Sequence, residues 1–102
     1  NNGKAIHPMI GISLIDQGNY EKNKNEVKVG FVVPNSPAEK SGIKLNDIII
    51  KVGDQTIEKA SDVISQINKN GINKKINILL KRRNKFIMLS VKPTDITNLQ
   101  KS

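Results

Sequence analysis

Ser36-Pro37-Ala38-Glu39-Lys40-Ser41-Gly42-Ile43-Lys44-Leu45-Asn46-Asp47-Ile48-Ile49-Ile50-Lys51-Val52 is the stretch on which the fold turns. Ser36 offers a helix-capping hydroxyl, and Pro37 suits the first helical position, where an N–H would have no partner. Glu39 completes a capping box. Gly42 then stops the helix after little more than a turn. The spacing predicts one very short helix, a turn at Asn46, a residue that tolerates positive φ, and a strand over Asp47–Val52. Ile48, Ile50 and Val52 are expected to share one face of that strand.

Working back from this stretch, the β-branched run Val27–Val33 predicts a strand that Pro34 ends. Asp16–Glu26 is polar, holds Gly18 and three Asn, has no aliphatic residue, and reads as a long exposed loop. Before it, Ile10, Ile12 and Leu14 alternate with Gly11 and Ser13, the period of a strand over Met9–Ile15 with one apolar face. Working forward, Gly53-Asp54 turns the chain into a short extension ending at Ile57. The apolar spacing then becomes helical: Val63, Ile64 and Ile67 recur between Ala60 and Asn70, with Asp62 in the first turn, Lys69 in the last and Gly71 beyond. Two alternating strands follow, near Lys75–Lys81 and Phe86–Lys92, joined by Arg82-Arg83-Asn84-Lys85 with Asn84 suited to a left-handed turn. Pro93 ends the last strand, and Thr94–Ser102 reads as a loose tail.

The fold class expected is mainly β with two helices (α+β): a partly open antiparallel barrel or sandwich of five to six strands, capped by one short and one longer helix. The chain has 102 residues, enough for a single core. Its 36% apolar and 25% charged residues fit a folded, water-exposed domain. No apolar run approaches the roughly 18 residues of a transmembrane helix.

The net charge of +8 comes from 15 Lys and only two Arg against nine acids, alongside 16 Ile and 13 Asn. Lys, Ile and Asn share AT-rich codons, so base bias accounts for Lys in place of Arg. The basic residues are scattered and only Tyr20, Phe31 and Phe86 are aromatic, which argues against a nucleic-acid reader with its Arg forks and stacking rings.

Catalysis and cofactors fare no better. There is no Cys and one His, His7, with no nucleophile turn around any Ser, so neither a thiol nor a Ser–His–Asp arrangement is available within the chain. The five Asp are not spaced as metal ligands, and no glycine-rich phosphate turn opens a helix. No catalytic residue, metal or cofactor is expected, and the function left is binding. Met9-Ile10-Gly11-Ile12 is the informative segment. An apolar-Gly-apolar turn leading into a strand can aim successive amides into one concavity suited to a carboxylate; it also fits a plain core strand with a bulge.

The run Val32-Val33-Pro34-Asn35-Ser36-Pro37-Ala38…Gly42…Asn46-Asp47-Ile48-Ile49 closely resembles the segment of PDZ domains in which Ser-Pro-Ala, a small residue plus Gly, and an Asp-apolar-Ile strand follow in order. Val52–Ile57 resembles the family's next turn and strand, and Ala60-Ser61-Asp62-Val63 the opening of its groove helix. Together with His7-Pro8 and the ending Leu89-Ser90-Val91-Lys92-Pro93, the chain is similar to the PDZ domains of bacterial HtrA/Deg serine proteases over Ile6–Pro93. Three positions depart from that pattern: Met9 replaces an aromatic residue, Asn46 a Gly, and His7 an Arg that supports the ligand carboxylate, with Lys4 available as its substitute.

The resemblance implies a linker over residues 1–5, the domain over 6–93 and a tail over 94–102. It implies that the amides of Ile10, Gly11 and Ile12 bind a peptide's C-terminal carboxylate. The peptide itself would add as a strand in a groove of Ile12, Ser13, Leu14, Ala60, Ile64 and Ile67. The implied partners are C-termini of unfolded or substrate proteins and a trypsin-like protease domain of the same parent chain, in the periplasm or another extracytoplasmic compartment of a bacterium. Nucleic acid and direct membrane insertion are not implied. The parent is expected to be a homo-oligomer and the domain alone a monomer. The other assignment open to a PDZ domain is a protein-interaction module of a secretion-system component or another membrane-associated protease.

Overall fold

The computed structural model describes residues 8–19 and 24–95. In chain order the elements are β1 (Pro8–Met9), β2 (Ile12–Asn19), β3 (Lys24–Val32), α1 (Pro37–Ser41), β4 (Ile48–Val52), β5 (Gln55–Thr56), α2 (Ala60–Asn70), β6 (Ile76–Arg82), β7 (Lys85–Val91) and β8 (Thr94–Asp95). Six strands form one open antiparallel sheet in the order β2-β3-β4-β6-β7, with β5 on β4; β1 and β8 pair separately. This is the expected α+β architecture, two helices against a sheet that does not close.

The helices form where local chemistry places them. Ser36 Oγ accepts from the Glu39 amide at 3.2 Å, while Glu39 Oε1 accepts from the Asn35 amide at 2.7 Å. Gly42, at φ 99°, returns its N–H to the carbonyls of Ala38 and Glu39. In α2 the buried residues are Val63 and Ile67. They meet Ile49, Val52, Ile78, Leu80 and Val91 from the sheet in one core, to which Ile10, Val27, Val29, Ala38 and Ile43 also belong. Burial of each such aliphatic side chain is worth about 1.5–3 kcal/mol.

Four sequence expectations change. The polar stretch from Asp16 is not a loop at its ends: β2 and β3 continue as a paired ribbon, Asp16 opposite Val27, Gln17 opposite Glu26 and Gly18 opposite Asn25. Main-chain pairing carries this ribbon without an apolar face beneath it, so no alternation announces it. The strand over Met9–Ile15 is broken at Ile10-Gly11, where the chain leaves β1 for β2. In β4 the register shifts between Ile49 and Lys51, so Ile49 and Val52 are buried while Ile48 and Ile50 are half-buried. A bulge at Ile50 changes the face. Thr94 and Asp95 are not tail but β8, paired with Met9 and Pro8. Beyond Asp95, and for His7 and Lys4, the earlier expectations lie outside the described residues.

Candidate functional site

β2 is the edge strand of the large sheet, and α2 lies along it. Which main-chain groups this edge offers follows from its register. Ile12 is opposite Val32, and the flanking bond runs from the Val33 amide to the Gly11 carbonyl at 2.8 Å. Ile12 and Val32 are therefore a non-hydrogen-bonded pair, and the N–H and C=O of Ile12 point away from β3, toward the open edge.

The turn ahead of Ile12 is held from both sides. The Ile10 carbonyl accepts from the Ala38 amide at 2.8 Å, which fastens the turn to α1. Gly11 sits at φ 86°, a conformation that L side chains rarely adopt. Among the described residues, neither the Ile10 nor the Gly11 amide donates a hydrogen bond within the protein. Three successive residues, Ile10 to Ile12, thus carry main-chain donors at the head of the strip between β2 and α2. Buried unpaired donors are uncommon, so this turn has the chemistry of an anion receiver.

The side chains expected to line the strip are placed as follows. Ile10 is 2% exposed and Ile67 4%, both within the core. Ile12, Leu14 and Ala60 are half-buried and pack on that core. Ile64, one turn after Ala60, is 57% exposed. Ile12, Leu14, Ala60 and Ile64 thus leave apolar surface along β2 and α2, a strip with Ile10 and Ile67 beneath it in the core. Ser13 does not join it: strand alternation turns its side chain to the exposed outer face, and its main chain pairs with Phe31.

One residue of this region is hidden in the sequence by its polar neighbours. Asp16, on the same side of β2 as Ile12 and Leu14, places Oδ1 2.8 Å from the Ala60 amide at the start of α2. Its signal was the continued alternation 12, 14, 16, which the polar composition of the following residues hid. Among the described residues no group of acids and His is arranged to hold a metal ion, and no helix is long and apolar enough to cross a membrane.

Residues 8–92 match the PDZ domain family, from β1 through β7. The serine protease HTRA1 of Xenopus tropicalis is 33% identical over 99 residues, covering 85% of this chain and 21% of that protein. The serine protease Do-like HtrB of Bacillus subtilis is 32% identical over 75 residues, covering 61% of this chain and 16% of that protein. The chain thus spans about a fifth or less of the length of these relatives. In fold it is similar to the crystal structure of the HtrA3 PDZ domain bound to a phage-derived ligand (FGRWV), with a TM-score of 0.72 at 23% identity, covering 85% of each chain. The chain belongs to the PDZ domain family, and within it resembles the domains of HtrA/Deg serine proteases.

Proposed function

We propose that this domain binds the hydrophobic C-termini of unfolded or substrate proteins by adding them as a strand to the open edge of β2, on behalf of an HtrA/Deg-like serine protease. The observation that carries this reading is the outward-facing main chain of Ile12 directly after the Ile10 and Gly11 amides, which donate to no group among the described residues. The ligand carboxylate sits at those amides, its chain pairs with β2, and its last side chain enters the apolar strip of Ile12, Leu14 and Ile64, over the buried Ile10 and Ile67. With no polar group or ring among these residues, the preferred terminal residue is aliphatic, such as Val, Leu, Ile or Ala. The peptide bound in the HtrA3 structure ends in Val, which supports the preference.

Charge-assisted hydrogen bonds to the carboxylate, a few strand bonds and one buried aliphatic side chain are set against the loss of translational freedom and peptide ordering. The balance gives a Kd of about 1–200 μM. That range suits sampling of exposed chain ends rather than permanent assembly. In the parent protein the occupied domain tethers substrate to, or activates, a separate trypsin-like domain in an extracytoplasmic compartment; the domain itself contributes no catalytic group.

The test is a titration of labelled peptides ending in Val against the 102-residue chain. Replacing the terminal carboxylate by an amide should weaken binding at least tenfold. Equal affinity for acid and amide overturns the carboxylate reading.

A further inference from the structure

Asp16 interrupts the apolar series on β2 and is the side chain through which β2 holds the start of α2. Oδ1 accepts from the Ala60 amide at 2.8 Å and from Asn25 Nδ2 at 3.0 Å, and the same Asn25 nitrogen donates to the Glu58 carbonyl at 2.9 Å. Three segments, β2, β3 and the approach to α2, therefore meet at one carboxylate.

The helix needs this partner. Its N-cap is Lys59, whose ammonium has no acceptor to offer the first-turn amides. Asp62 Oδ2 accepts from the Glu58 and Lys59 amides, at 2.9 and 3.1 Å, which leaves the Ala60 amide to Asp16. One amide at the start of α2 is thus capped from a strand 44 residues earlier, across the strip between strand and helix. Val63 and Ile67 anchor α2 in the core, and this bond adds a direct link from β2 to the first residue of the helix.

We propose that Asp16 is a positioning residue that closes the far end of the peptide groove, setting its width there and limiting the enclosed ligand to about its last four residues. The proposal rests on the peptide reading above. Ile12 stands at the carboxylate end and Asp16 four residues on; at about 3.3 Å per residue the open edge between them is about 13 Å, the length of four extended residues. A ligand residue farther from the terminus meets the Asp16–Ala60 bridge and must leave the groove over it.

The experiment uses the 102-residue chain and a series of peptides of three to seven residues, all ending in Val with a free carboxylate. In the wild-type protein affinity should rise with length up to four residues and then level. In Asp16→Ala the four-residue peptide should bind about three- to tenfold more weakly, the levelling should disappear, and exchange of the Ala60 amide should quicken at least tenfold. Asp16→Asn keeps an acceptor oxygen and should return both the affinities and the plateau to within about twofold of wild type. Asn25→Ala leaves Asp16 in place and should give a smaller change in the same direction. A length series unchanged by Asp16→Ala, or not restored by Asp16→Asn, overturns this proposal alone. A wild-type chain that binds no peptide of the series overturns the peptide reading and this proposal together.

Discussion

The carboxylate of Asp47 takes both Nε and Nη2 of Arg82 at 2.8 Å each, a forked pair in which the aspartate is 1% exposed. The same Nη2 reaches the Gly42 carbonyl at 2.8 Å, and Asp47 Oδ2 accepts from the Lys44 amide at 2.8 Å. The pair therefore ties the end of α1, the loop before β4 and the β6–β7 hairpin into one unit. These are the elements that back the Gly11 turn through the bond from Ala38 to Ile10.

Removing Arg82 leaves the Asp47 carboxylate, 1% exposed, buried without its partner, which costs about 3–5 kcal/mol. Arg82→Ala should accordingly lower the melting temperature by about 15 °C or more in a domain of this size, and Asp47→Ala, which leaves the partly exposed Arg82 able to reach water, by less. Arg82→Lys keeps the charge but loses the planar fork, and should recover less than half of what Arg82→Ala removes. Urea denaturation of the three variants checks the order.

The pH dependence of that pair has a definite sign. The hydrogen bond from Asp47 raises the Arg82 pKa above the ordinary arginine range, with desolvation opposing and the Asp47 charge adding to the rise. A raised folded-state pKa gives stability that is fully present below the unfolded value and lost only as pH climbs through the folded one. The difference in urea midpoint between wild type and Arg82→Ala should therefore stay constant between about pH 7 and 10. A steady narrowing of the gap across that interval would show that the guanidinium does not hold its proton in the fold as stated.

Ile64 and Ile67 separate groove from core on one helix. They lie three residues apart, yet Ile64 is largely exposed and Ile67 almost wholly buried. Ile64→Ala should leave stability within about 0.5 kcal/mol while weakening an apolar-terminated peptide several-fold. Ile67→Ala should cost about 2–5 kcal/mol through the cavity it opens, whatever its effect on binding. Thermal melts paired with peptide titrations distinguish the two, and equal destabilisation by both would remove Ile64 from the groove.

The elements that were legible in the sequence are those whose cause is local. α1 and α2 lie where Ser36, Pro37 and Glu39, and then Asp62 and Gly71, place them, because caps act within a turn. The β6–β7 hairpin was legible from its alternation and from Asn84, which takes a positive φ together with Arg83. What stayed hidden depends on distant partners. The β2–β3 ribbon is held by main-chain pairing that composition does not signal, and the bulge at Ile50 shifts a face that strict alternation misassigns. The Asp16–Ala60 bond joins residues that no sequence period relates. The Gly11 turn was visible as an apolar-Gly-apolar run, whereas the outward orientation of Ile12 needed the register against Val32.

Two glycines with positive φ should fail differently when replaced. At Gly42, φ 99°, an added Cβ would meet nothing nearer than Leu89 Cδ2 at 3.9 Å, so the cost of Gly42→Ala is conformational rather than steric. That cost is about 1–2 kcal/mol of stability, and peptide affinity should not change. At Gly11, φ 86°, the same strain falls on the turn whose amides face the strip. Relaxing it rotates the Gly11 amide and moves the Ile12 N–H away from the carboxylate position. Gly11→Ala should therefore weaken a free-carboxylate peptide at least tenfold where Gly42→Ala does not, with little further loss on amidating that peptide. If the two variants bind alike, the strained turn belongs to folding alone and the carboxylate is received elsewhere.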